Sequence, residues 1–334
     1  MVFKRLLGSL GVGAPAVDTI LDPAPALPGG TLTGQVHLKG GQADFEIEDI
    51  TLELVARVEV EHEDGEGEGV VVFDRFVVGG GFRLGAEETR SVPFQVALPW
   101  ETPVTELHGR PLGIVLGVRT GLGVAGAKDK GDLDALSVTA LPVQEAVLEA
   151  FGQLGFGFRS ADLEYGHIGG TGQQLPFYQE IELLPAPQYA HQLNEVELTF
   201  LAGPGGLEVV LEADKRGGLF SSGHDAVTRF TVGHHDVRDW TAEVDGWVRQ
   251  LVEHHATYGA HSTYGHSDAY AGHGHHDLPS HGGHQHDDHH RSGAGVGTAV
   301  AAGAAGLAVG VVGGVVAAEA VDEVGDFFEG DDEG

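Results

Sequence analysis

Apolar residues in this chain recur mostly at every second position, the period of a half-buried strand. Val92, Phe94, Val96 and Leu98 show the pattern most plainly. Pro93 removes a ladder donor and so predicts an edge strand or a strand start, while Pro99 and Pro103 stop the strand and set a rigid, non-helical corner from Trp100 to Thr105. Beyond the corner, 112–120 predicts a returning strand, and 133–141 predicts a strand that closes the unit before Pro142. Upstream, 16–30 is rich in proline and small residues and ends on a Gly29-Gly30 turn. Residues 32–39 then predict a strand. Phe45, Ile47, Ile50, Leu52, Leu54, Ala56, Val58 and Val60 predict a long strand with a register change near Asp49. Residues 70–78 predict another, which Gly79-Gly80-Gly81 turns into 82–84.

The period changes twice. Val143, Val147, Leu148, Phe151 and Leu154 share one helical face behind Pro142, a residue suited to the first helical position. This helix is expected to join two sandwiches. Strand patterns resume at 156–163, 176–184, 193–201, 207–213 and 226–232, with Gly203-Pro204-Gly205-Gly206 as a turn. Val237, Trp240, Val244, Trp247, Val248 and Leu251 then predict a second amphipathic helix capped by Asp236, with the ordered body ending near His255. Short strands separated by glycine turns predict an all-β protein of two tandem β-sandwich domains, 1–141 and 142–255, with short accessory helices. A disordered His-rich linker follows at 256–292, and a Gly/Ala-rich segment with an acidic tail occupies 293–334.

Composition narrows the function. Fifty acidic residues against 18 lysines and arginines give a formal net charge of −32, which repels phosphate backbones and excludes nucleic acid as a partner. With no cysteine there is no disulfide, thiolate metal site or cysteine nucleophile, which fits a reducing compartment. At the start, Lys4 and Arg5 precede an apolar run that ends at Ala14-Pro15-Ala16, the outline of a signal peptide. Gly8, Gly11 and Gly13 interrupt that run, so the preferred reading is a short amphipathic helix carrying Val2, Phe3, Leu6, Leu7 and Leu10.

Several stretches imitate chemistry. Gly121-Leu122-Gly123-Val124-Ala125-Gly126 spells a dinucleotide fingerprint, but 127–132 opens no apolar helix to receive a pyrophosphate, so a glycine-bent loop is expected. Ser221-Ser222-Gly223-His224-Asp225 lacks a nucleophile elbow and reads as a polar turn. The acidic, glycine-rich stretch 61–69 lacks the spacing of a calcium loop and reads as a flexible hairpin loop.

The strongest chemical signal is histidine, since twelve of the 20 histidines fall between His254 and His290. His273, His275, His276, His281, His284, His286, His289 and His290 are candidate ligands for zinc, nickel or copper. Gly306, Gly310 and Gly314 form a small-residue stripe, a candidate surface for self-association or partner docking. The run 293–318 is long enough to span a bilayer but lacks basic and aromatic anchors, which leaves peripheral membrane contact as the alternative to a fully cytoplasmic protein.

An ordered series of motifs runs through residues 2–255: Val17-Asp18-Thr19, the Gly29-Gly30 turn, Val92-Pro93-Phe94 to Leu98-Pro99, Thr102-Pro103-Val104, Val118-Arg119-Thr120-Gly121-Leu122, 129–138, the helix at 143–155, Leu193-Asn194-Glu195-Val196-Glu197 and Leu211-Glu212-Ala213-Asp214-Lys215-Arg216. In these the chain resembles the bacterial sporulation-control family SpoOM. The resemblance implies two arrestin-like β-sandwiches and a non-enzymatic regulator or adaptor. Such a protein requires no cofactor and binds other proteins in bacterial development or envelope physiology. Gly123 departs from the family pattern, which often has an acidic residue there. The alternative function, a metal-binding or metal-sensing protein, rests on the histidine tract.

Overall fold

The structure, a computed structural model, describes residues 13–62, 65–125, 130–213 and 227–262. The order of elements is β1 (Ala16–Leu21), β2 (Thr31–Lys39), β3 (Phe45–His62), β4 (Gly65–Leu84), β5 (Thr89–Ala97), β6 (Glu106–Leu107), β7 (Arg110–Pro111), β8 (Leu116–Val124) and β9 (Lys130–Ala135). Then come α1 (Pro142–Leu154), β10 (Gly157–Tyr165), β11 (Phe177–Leu184), β12 (Val196–Gly203), β13 (Gly206–Ala213), β14 (Thr228–Val232) and α2 (Trp240–Ser262). The fold is mostly β, as the period-2 pattern predicts.

Strands β1, β2 and β5 form a three-stranded sheet in that order, with β5 at one edge, where Pro93 costs no ladder bond. A nine-stranded sheet runs β14-β13-β12-β11-β10-β3-β8-β9, with β4 paired to β3. Its two halves meet where β10 lies parallel to β3, with Glu164 opposite Glu59. Inward-facing Leu32, Val36, Leu38, Phe94 and Val96 of the small sheet pack with Ile47, Leu52, Leu54, Phe73, Val118 and Leu122 of the large one. That core reaches into the second half of the chain, where Phe177 meets Phe73 edge to face at 5.6 Å.

A second large core joins α1 and α2 to one face of β11–β13, through Val147, Phe151, Val244, Trp247, Val248 and Leu251 from the helices and Ile181, Leu198, Val209 and Leu211 from the strands. Each fully buried leucine or phenylalanine contributes about 1.5–3 kcal/mol, so the helices are held by this apolar stripe rather than by their caps. Helix α1 starts at Pro142 as expected, with Gln144 accepting the Leu141 N–H at 2.8 Å. It ends at Gly155, whose φ of 95° lets the chain reverse.

The structure corrects several expectations. Residues 16–21 are a strand, β1, hidden in the sequence by the proline-rich text after it. Most of 61–69 is strand rather than loop, because Gly65–Gly69 keep their backbone pairing with Val58–His62. Gly79–Gly81 do not turn the chain. They lie inside β4, whose bulges absorb the extra residues against the continuous partner β3, and the register shift expected near Asp49 is found between Ile47 and Asp49 against β8.

Gly121–Val124 extend β8 instead of forming a bent loop, since β3 and β9 pair with both of its sides. Residues 112–115 stay outside β8, because Gly113 takes a φ of 89° that bends the chain away from a strand. Helix α2 begins at Trp240, not near Val237, which is 98% exposed. Its cap is Asp239, whose carboxylate accepts the Ala242 N–H at 3.1 Å, while Asp236 closes the preceding turn by accepting the Gly233 N–H at 2.9 Å. The helix runs on to Ser262, past the expected end at His255.

Candidate functional site

On the side of β10–β13 away from the helices, alternation and register gather acidic residues that lie far apart in sequence. Asp162 stands opposite Glu180, Glu182 opposite Glu197, and Glu197 opposite Glu212, across four adjacent strands. Glu164, opposite Tyr178, adds a carboxylate beside the parallel seam with Glu59. Ile168, Tyr178, Leu201, Val210 and Val227 form a small apolar cluster on this part of the molecule. It lowers the local dielectric and keeps water from the carboxylates nearest to it.

The consequence is electrostatic. Burial raises the Glu180 carboxyl to about 10, and the charges of Glu197, Asp162, Glu164 and Glu212 add to the effect. Burial, reinforced first by Glu212, raises Glu197 to about 7. The Tyr178 phenol is also pushed up, by burial and then by Glu180 and Glu164. Like charges this close cannot all ionise, so the face carries bound protons at neutral pH. Arg159 is a nearby counter-charge, bonded to Glu195 and 3.5 Å from Glu182, and the Ser160 hydroxyl donates to Glu182.

Asp162, Glu164 and Glu180 each offer an oxygen within 4.8 Å of the others, the donor set preferred by a hard divalent cation. A cation entering there would displace the Glu180 proton. The arrangement can therefore store protons, bind a hard cation or attract a cationic segment of another chain.

None of this was read from the sequence. Acidic residues do alternate with apolar ones at 162–164, 180–182 and 195–197, but only the strand register makes them neighbours. Of the residues singled out in the sequence, the eight candidate ligands from His273 to His290 and the stripe of Gly306, Gly310 and Gly314 lie outside the described residues, as do the amphipathic start and Ser221–Asp225. Gly123 is placed opposite Asp49, and a Cβ there would come within 2.9 Å of the Asp49 carboxylate. In this chain Asp49 occupies the space that an acidic side chain at 123 would need. Among the described residues no helix is long and apolar enough to cross a membrane.

Comparison with known proteins agrees with the fold. The chain is 39% identical over 215 residues to the sporulation-control protein Spo0M of Bacillus subtilis (strain 168), a match covering 64% of this chain and 81% of that protein. The crystal structure of the Bacillus subtilis protein superposes with a TM-score of 0.64 at 33% identity, covering 73% of this chain and all of the other. The model of the SpoOM protein family matches residues 3–217, and the chain belongs to that family.

Proposed function

We propose that this chain is a non-catalytic regulator in sporulation control that acts in the cytoplasm by binding other proteins, built from two tandem arrestin-like sandwiches at 1–141 and 142–255. The observation that carries the reading is the family match over 3–217, together with 39% identity to a protein named for control of sporulation. The two large buried cores support the division into two units: the second is built around α1 and α2, and the first takes in Leu163, Leu175 and Phe177 from beyond α1 where the units meet. The acidic face of β10–β13 gives the contact a sign, because a partner presenting lysine and arginine would neutralise charges that the chain holds at a cost.

The test is complementation. A Bacillus subtilis strain lacking its sporulation-control protein should recover its normal heat-resistant spore yield when this chain is expressed. A folded, expressed chain that leaves the yield unchanged would refute the role. Crosslinking and pull-down, with full-length protein beside one ending at Ser262, then asks whether partners bind the β body or the tail. Capture that survives truncation but is lost on neutralising Glu182 and Glu197 assigns the contact to the acidic face.

A further inference from the structure

Strand β1 is an edge of the three-stranded sheet and β9 an edge of the nine-stranded one, and the two pack against each other along one side of the sandwich. Register decides which side chains meet there. Asp132 stands opposite Thr120 and Asp134 opposite Val118, both fully buried, so the two aspartates point between the sheets. On β1, Thr19 stands opposite Val36 and points inward too. Its hydroxyl lies 2.7 Å from that of Thr120, and its N–H, turned away from β2, donates to the Asp132 carboxylate at 2.7 Å. Asp132 thus does for the free edge of β1 what a further strand would do.

Asp134 has no such donor. Its Oδ2 is shut off from solvent and meets no hydrogen-bond partner among the described residues. The carboxyl within its reach is that of Asp132. Two ionised carboxylates only accept, so the pair can bond only when one of them carries a proton. Asp134 is that one: burial, then the charges of Asp132 and Asp18, raise it to about 7. Burial raises Asp132 as well, but the Thr19 N–H favours its ionised form.

The other charged groups nearby do not relieve the pair. Asp18 of β1, His37 and Lys39 of β2 and Arg90 of β5 line a cavity of about 360 Å³ that reaches Asp132 but not Asp134. His37 is bonded to Ser91, Lys39 is paired with Glu87, and Arg90 lies over the Phe82 ring. On β8, Arg119 alternates to the opposite face and is bonded to Glu53. Among the described residues no cation is bonded to either aspartate, so a proton is the counter-charge that remains. The cavity brings water to Asp132, which gives that proton a way out.

We propose that the Asp132–Asp134 pair is a pH-sensitive clasp on the edge strand β1, closed while the two carboxyls share a proton and loosened, with the Thr19 N–H released, when the proton is lost. This assignment is independent of the role in sporulation control.

The closed state binds the extra proton, so the clasp is tightest at acid pH and loosens as pH rises to about 7. If opening returns Asp134 to its ordinary value of 3.8, the opening constant rises about 50-fold between pH 5 and 7 and only about twofold from pH 7 to 9. Hydrogen exchange of the Thr19 amide in the full chain reads this constant once the intrinsic pH dependence of exchange is divided out, with the buried Leu52 amide of β3 as the gauge of global unfolding. Asp134→Asn keeps an N–H toward Asp132 without a titrating proton, so its Thr19 opening should be flat across pH 5 to 9. Asp132→Asn removes the charge facing Asp134 and should move the rise to lower pH; it keeps the test open if the first variant does not fold. The proposal is overturned if the parent's opening constant does not change between pH 5 and 7, if Thr19 opens only together with Leu52, or if either folded variant shows the same rise as the parent.

Discussion

Replacing Glu180 with glutamine tests whether the acidic face holds a proton at neutral pH. In the folded chain this carboxyl is raised from 4.5 to about 10, with burial as the largest cause. In the unfolded chain it ionises normally, so folding at pH 7 must first protonate it. Protonating a group 2.5 units above its ordinary value costs about 3 kcal/mol, a figure independent of the folded pKa as long as that stays well above 7. The sign follows from the raised value. The folded state binds the extra proton, so this contribution is fully present below about 4.5 and is lost as pH rises toward about 10. Glutamine has the shape of the neutral acid and supplies N–H donors toward Asp162 and Glu197.

Glu180→Gln should therefore stabilise the protein by about 2–3 kcal/mol at pH 7, by more at pH 8 and hardly at all at pH 4.5. Urea unfolding of both proteins at the three pH values, followed by tryptophan fluorescence, measures it. A variant equal to or less stable than the parent at pH 8, or a difference that does not change with pH, would refute the reasoning. That result would mean that water reaches the face and the carboxylates ionise freely.

Other expected outcomes follow from particular contacts. Glu101 accepts the N–H groups of Gln174 and Leu175 at 2.8–2.9 Å, tying the proline corner to the loop before β11, so Glu101→Ala should cost about 1–2 kcal/mol and speed hydrogen exchange of the Leu175 amide. Unchanged exchange there would remove the tie. Asp239→Ala should cost about 1 kcal/mol by uncapping α2, and Asp236→Ala should cost less, an order that thermal melting would reverse if Asp236 were the cap. Zinc titrated into the full chain should occupy several weak sites among His273–His290 and lose them as pH falls through about 6.5, with the melting temperature of the β body unchanged. One tight site that raises that temperature and disappears on deleting 256–291 would favour a metal sensor over an adaptor.

What was legible in the sequence depended on whether a signal is local. Pro93 announces an edge strand because a missing N–H matters wherever the strand lies, and β5 is an edge. Pro142 and the spacing of Val143, Val147 and Phe151 give α1 to the residue at its start, since a helix satisfies its own backbone. Glycine misled where the outcome depends on a distant partner. Gly79–Gly81 and Gly121–Gly123 read as bends, yet both lie in strands because β3 is long enough to pair with β4 on one side and β8 on the other.

The same non-locality hid the acidic face. Asp162, Glu180, Glu197 and Glu212 each look like the polar half of an ordinary amphipathic strand. Had β11 slipped by one residue against β10 and β12, Glu180 and Glu182 would have turned into the helix-covered core, and Ile181 and Leu183 would have faced outward. The apolar packing of Ile181 and Leu183 against the helices thus fixes the register, and the register forces the carboxylates together. The unfavourable charge cluster is the consequence of a favourable core, and a proton, a cation or a basic partner is what can relieve it.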